Sequence, residues 1–112
     1  MTMTRVEKRI KFFQLVSTLV LRLKAKGIDV MPFSFYRSPK EQARLFKEGK
    51  TKTLHSKHQQ WLAIDFVIVK DNKLIWERCK EYEILGEEAK SLGLIWGGDW
   101  KDLNDIYHVE FK

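Results

Sequence analysis

A chain of 112 residues with 44% hydrophobic and 12% aromatic content is long enough for one self-sufficient core and excludes a disordered segment. Its single cysteine, Cys79, excludes an internal disulfide and a cysteine-rich metal cluster. The net charge of +6 suits an anionic partner, but the basic residues gather in the first 57 positions, mostly on what read as solvated helix faces. No nucleic-acid module is recognisable among them, so nucleic acid is not the expected partner.

Thr4 is placed to cap a helix over about residues 5–26, which Gly27 stops. Val6, Ile10, Phe13, Val16, Val20 and Leu23 recur at three- and four-residue intervals, and the spacing predicts that this face packs inward. The basic residues ahead of the apolar run 12–23 superficially resemble a secretory signal. However, Arg22, Lys24 and Lys26 stand where a cleavage site needs small residues, and the run is too short to span a bilayer. The expectation is mature structure with no signal peptide and no integral membrane segment, in a chain made in the cytoplasm.

Residues 28–36 read as an extended segment that Pro32 confines to an edge or a bend. Ser38, Pro39 and Glu41 then form a helix start with a capping box, and Gly49 stops that helix. Arg37 stands just before the cap, at a strand-to-helix junction where side chains often point into a cleft. Residues 50–58 are polar and aperiodic, an exposed loop. Residues 62–69 form the most continuous apolar, β-branched run, a strand buried on both faces, and 74–76 can return beside it as a hairpin. A second amphipathic helix covers about 82–92, with Ile84, Leu85, Ala89 and Leu92 inward. A glycine-containing turn, 94–100, precedes a last strand, 107–111, with His108 and Glu110 on one side and Tyr107, Val109 and Phe111 on the other. No repeats occur, and residues 1–112 are expected to form one α+β domain.

Asp65 is the anomaly in this scheme. A carboxylate inside the buried run 62–69 must be protonated, paired or bound to a cation, because burying it alone is prohibitively costly. Two of the three histidines, His58 and His108, flank it in sequence, and two imidazoles with one carboxylate is a known catalytic zinc ligand set. Zinc bound by His58, Asp65 and His108 would leave Asp105 as the candidate general base. His58 and Asp65 lie seven positions apart, an odd number, so the chain must leave strand geometry somewhere in 59–61. Taken singly, His58 reads as a solvated loop histidine, His108 as a core residue and Asp105 as a turn former; the joint pattern is what points to a metal.

That pattern resembles a family. Ser56-Lys57-His58 followed by Ala63-Ile64-Asp65 is similar to the Ser-x-His-x-x-Gly-x-Ala-x-Asp signature of the D-alanyl-D-alanine carboxypeptidase and L-alanyl-D-glutamate endopeptidase family. The stretches 36–42, 96–100 and 105–110 resemble that family's opening and closing segments, so the likeness runs from about residue 30 to the end. It implies an α+β fold with helices on a small antiparallel sheet, also used by hedgehog signalling domains, with the catalytic motifs within 34–112. It implies a zinc peptidase cutting peptidoglycan stem peptides, expected to be a monomer of the phage endolysin type that meets the wall on release. L-alanyl-D-glutamate endopeptidase activity is the first expectation. A D-Ala-D-Ala carboxypeptidase or dipeptidase, or a catalytically silent wall-binding module, are the alternatives. The implied ligands are His58, Asp65 and His108, with Asp105 as base, Arg37 stabilising the oxyanion, and Ser56 beside the site. Trp61, Trp96 and Trp100 are candidates for substrate contact. Trp61 departs from the pattern, since it stands where the family has glycine; the backbone there does not need glycine, or Trp61 reshapes the pocket wall.

Overall fold

The computed structural model describes residues 2–112. Helix α1 (Arg5–Ala25) starts at a complete capping box: the Thr4 hydroxyl accepts from the Glu7 amide at 3.1 Å and the Glu7 carboxylate accepts from the Thr4 amide at 3.0 Å. Its buried face is Phe12, Val16, Leu19 and Leu23. Val16 and Leu23 of the expected face are thus buried and Val20 packs against the core, whereas Val6, Ile10 and Phe13 are 63, 53 and 60% exposed, which corrects the N-terminal half of that face. The helix carries two apolar stripes, centred about 130° apart at 3.6 residues per turn, and the sheet can take only one. The stripe that packs brings Phe12, Leu19 and Leu23, whose large side chains bury the most apolar surface.

Strand β1 (Asp29–Ser34) pairs antiparallel with β2 (Ala63–Lys70), and the register slips between Pro32 and Ser34, where Pro32 has no amide to donate. Helix α2 (Pro39–Lys47) follows the Ser38 cap, whose hydroxyl accepts from the Glu41 amide at 3.1 Å. Only half of the expected capping box forms, since the Glu41 carboxylate pairs with Arg44 instead. β3 (Lys73–Ile75) returns beside the far end of β2, and β5 (His108–Glu110) pairs with its beginning, both antiparallel. β4 (Ile95–Trp96) closes the order β1-β2-β5-β4 of a five-stranded sheet. Helix α3 (Lys80–Ser91) begins one turn-fraction earlier than its apolar pattern, at Cys79, which gives no side-chain cap.

β2 organises the rest. Ile64, Phe66 and Ile68 join α1 and α3 residues in the core, and by alternation Ala63, Asp65 and Val67 point to the other face. The Tyr82 hydroxyl from α3 accepts from the Ile68 amide at 3.1 Å and donates to the Ile75 carbonyl, fixing β2 and β3 to the helix layer. Burial of that phenol pushes its pKa up to about 12. The helices therefore hold one face of β2 rigid, and the other face is free to carry chemistry.

Candidate metal centre

Register brings the first pair together. Asp65 on β2 stands directly across from His108 on β5, a cross-strand pair in a buried sheet. His58 arrives differently. Ser56 caps a 3-10 helix, Lys57–Gln60, its hydroxyl accepting from the His58 amide at 3.1 Å while the Gln59 side chain accepts from the Ser56 amide at 2.8 Å. Trp61 ends that helix with φ 62° and ψ 31°, and β2 begins two residues later. The departure from strand geometry expected within 59–61 is this helix and its left-handed cap. The backbone does use the conformation that glycine adopts freely, at a cost of about 1–2 kcal/mol for another residue. Trp61 offsets part of that strain by stacking on Tyr36 at 4.7 Å and meeting Phe35 edge-on at 5.4 Å.

The three side chains converge. His58 Nε2 lies 3.3 Å from His108 Nδ1 and 3.3 Å from Asp65 Oδ2, and His108 Nδ1 lies 3.1 Å from Asp65 Oδ1. His58, Asp65 and His108 are 1, 5 and 6% exposed. The opposite ring nitrogens are committed elsewhere. His58 Nδ1 donates to the Phe35 carbonyl at 2.9 Å, and His108 Nε2 donates to Glu110 Oε1 at 2.7 Å. In their neutral forms both imidazoles thus aim a bare nitrogen at one point, which is unfavourable unless a cation or proton sits between them. Ligand atoms about 2.0–2.1 Å from a tetrahedral ion lie about 3.3–3.4 Å apart; the two imidazole nitrogens stand at that spacing, and one ligand atom from each of the three residues falls within 4.8 Å of the others, a grouping that can hold a zinc ion. The nitrogen-rich donor set with one carboxylate suits zinc better than magnesium or calcium.

The electrostatics fit the same reading. Burial opposes charge on Asp65, yet hydrogen bonds from His108 and His58 outweigh it and hold the carboxyl well below the usual carboxylate range. Burial alone would lower His108, but its hydrogen bonds to Asp65 and Glu110 carry it up to about 9.

Around this centre lies a cleft of about 680 Å³, whose walls include Arg37, Ser56, Trp100 and Asp105. Asp105 sits in the turn before β5, where Oδ1 accepts from the Tyr107 amide at 3.2 Å. Burial, then the neighbouring charge of Asp65, pushes its carboxyl above its ordinary value. Gly97 makes that turn possible: a Cβ there would stand 2.5 Å from the Asp105 carbonyl and 3.0 Å from His108 Cβ. Arg37 reaches in from the β1–α2 junction, with Nη2 3.6 Å from Asp65 Oδ2 and Nη1 donating to Gln42 at 2.9 Å. The Trp100 ring lies 5.0 Å from that of His108.

Two expected contacts lie elsewhere. Trp96 is 3% exposed, donates from Nε1 to the Ile106 carbonyl at 2.8 Å, and packs on Gly86, so it is core and not cleft wall. Trp61 is outside the cleft lining, on its platform with Tyr36. Sequence reasoning also missed Gln42, fully buried, whose Nε2 donates to the Thr53 carbonyl at 2.7 Å while its oxygen holds Arg37. A glutamine on a charged amphipathic helix gives no sign of burial; its place at the end of the family-like stretch 36–42 was the available hint.

Comparison with known proteins points the same way. Residues 49–111 match the family described as D-alanyl-D-alanine carboxypeptidase. The chain is 40% identical over 104 residues to a peptidoglycan L-alanyl-D-glutamate endopeptidase of Bacillus subtilis (strain 168), covering 76% of this chain and 62% of that protein. It is 33% identical over 90 residues to an L-alanyl-D-glutamate peptidase of Listeria phage A118, covering 79% of this chain and 32% of the relative. The chain thus spans under two thirds of the length of these curated relatives. Among solved structures, a Serratia marcescens L-Ala D-Glu endopeptidase superposes with a TM-score of 0.68 at 28% identity, over 88% of this chain and 78% of that one. No helix among the described residues is long and apolar enough to cross a membrane.

Proposed function

Because the chain belongs to the D-alanyl-D-alanine carboxypeptidase family, we propose that it is a zinc-dependent peptidase that hydrolyses peptidoglycan stem peptides at the L-alanyl-D-glutamate bond. Residues 1–112 would act as one monomeric peptidase domain, reaching the wall in the manner of a phage lysis enzyme. The observation that carries the reading is the convergence of His58 Nε2 and His108 Nδ1, 3.3 Å apart and each within 3.3 Å of one oxygen of the Asp65 carboxylate, in a cleft that also holds Arg37 and Asp105. The names of the Bacillus, Listeria phage and Serratia relatives support the choice of bond.

His58, Asp65 and His108 would hold the zinc. When bound, zinc would acidify a water and polarise the scissile carbonyl. Asp105 accepts the proton as the water attacks the carbonyl carbon, and its raised affinity for protons suits it to keep that proton until the C–N bond breaks. It then protonates the leaving amine. Arg37 donates to the carbonyl oxygen as negative charge develops there, an interaction stronger in the transition state than with the neutral substrate. Gln42 fixes the guanidinium, so little orientation is lost at that moment. Ser56 acts through its cap, which sets the direction of His58.

The test is digestion of purified peptidoglycan with and without chelator, reading the new termini by mass spectrometry. Chelator-sensitive D-glutamyl amino termini are expected. Release of free D-alanine instead would move the assignment to the carboxypeptidase that the family description names. No chelator-sensitive termini of either kind would overturn the peptidase reading.

A further inference from the structure

One ion pair closes a ring through the metal centre and has no part in the chemistry above. Glu110 uses both carboxylate oxygens: Oε1 accepts from His108 Nε2 at 2.7 Å, and Oε2 meets Lys57 Nζ at 2.9 Å. Lys57 also donates to the Phe111 carbonyl, and the Phe111 amide donates to the Leu62 carbonyl at 2.8 Å. Lys57 is the residue before His58, and Glu110 lies two residues after His108 on the same face of β5. The ring therefore runs from one histidine to the other through a single salt bridge, with Glu110 only 16% exposed.

We infer that Lys57 and Glu110 form a clasp that positions His58 and His108 for the metal. The inference rests on the zinc reading of the site. Its physical content has two parts. A carboxylate on Nε2–H fixes the tautomer of His108 with Nδ1 bare and makes that nitrogen a stronger donor, an effect typically worth 10- to 100-fold in metal affinity. The lysine acts through Glu110. Glu110 meets the ring from the Nε2 side, opposite the ligating Nδ1, so it orients the imidazole without being a ligand itself. With Lys57 holding Oε2, Glu110 stays bound to His108, and the 3-10 helix carrying His58 is fastened to the strand carrying His108. Both are positioning residues; neither touches the reacting atoms.

The experiment measures zinc affinity by competition with a chromophoric chelator for the wild type, Glu110→Gln, Lys57→Met and the double variant. The melting temperature of each metal-free protein checks folding, and imidazole nitrogen NMR reads the His108 tautomer. Glu110→Gln keeps size and shape and should weaken zinc binding about 10- to 100-fold, with the fixed Nε2–H tautomer lost. Lys57→Met should weaken it less and should add nothing in the Glu110→Gln background, because its effect passes through Glu110. Wild-type affinity in Glu110→Gln, or an undiminished Lys57→Met effect in the double variant, would overturn the clasp while leaving the metal site intact. A wild type that takes up no zinc would sink the metal reading itself, a result plainly different from the first two.

Discussion

Helix α1 and the cleft on the opposite face of β2 place their side chains by different rules. In α1, two apolar stripes offer nearly interchangeable surfaces, and one packs because the sheet and α3 accept Phe12, Val16, Leu19 and Leu23. Hydrophobic burial is non-directional, so a rotation of the helix changes the free energy by degrees. In the cleft, His58, Asp65 and His108 each have specific partners at hydrogen-bond range, and a shift of about 1 Å would leave a buried charge unpaired. Area specifies the first region and direction specifies the second. The first tolerates substitution on its losing stripe; the second tolerates almost none.

Four measurements test that contrast. The largest effect belongs to Asp105→Ala, which should lower kcat about 10²- to 10⁴-fold while zinc content stays near that of the wild type; retained turnover would remove Asp105 as the base. Phe12→Ala should cost about 3–5 kcal/mol in denaturant unfolding, whereas Phe13→Ala, on the exposed stripe, should stay within about 0.5 kcal/mol. Equal losses at the two positions would mean that the helix is rotated from the packing described. The third concerns pH. His108 is raised from 6.5 to about 9, so in the metal-free protein its stabilising pairs are fully present below about pH 6.5 and lost as pH rises through about 9. A metal needs the bare Nδ1, so zinc uptake should release a proton and tighten about tenfold per pH unit below about pH 9, levelling off above it. The metal-free melting temperature and the zinc affinity should therefore move in opposite directions with pH. The smallest effect is expected for Trp61→Gly, which relieves the left-handed strain but loses the Tyr36 stack. Stability should change by about 1 kcal/mol or less, and a large loss would make the aromatic stack, not the backbone turn, the support of His58.

The sequence was legible where a residue contradicted its surroundings. Asp65 in an apolar run demanded a partner, and its two histidines were the available ones; β2, the edge position of β1 and the break within 59–61 followed from alternation and proline chemistry. It was ambiguous where residues agreed with two surroundings at once. Both stripes of α1 satisfied the helical period, so periodicity could not choose between them. Trp96 was a candidate for core and cleft alike, because sequence does not reveal that Gly86 opens a slot for it beneath α3. Lys57 fell in a stretch read as an exposed loop, and Gln42 drew no reading of its own; their roles depend on residues that pattern does not link to them, Thr53 for one and Glu110 for the other. Glu110 was placed on the face of His108, but alternation carries no information about which ring nitrogen it would meet.

Three side chains holding one metal are the centre of the molecule's proposed chemistry. Its most direct test is the zinc content, by elemental analysis, of the purified wild type and of Asp65→Ala after dialysis against a weak chelator. About one zinc per chain in the wild type and a small fraction of that in the variant is the expected result. Equal zinc in both proteins, or none in the wild type, would contradict it.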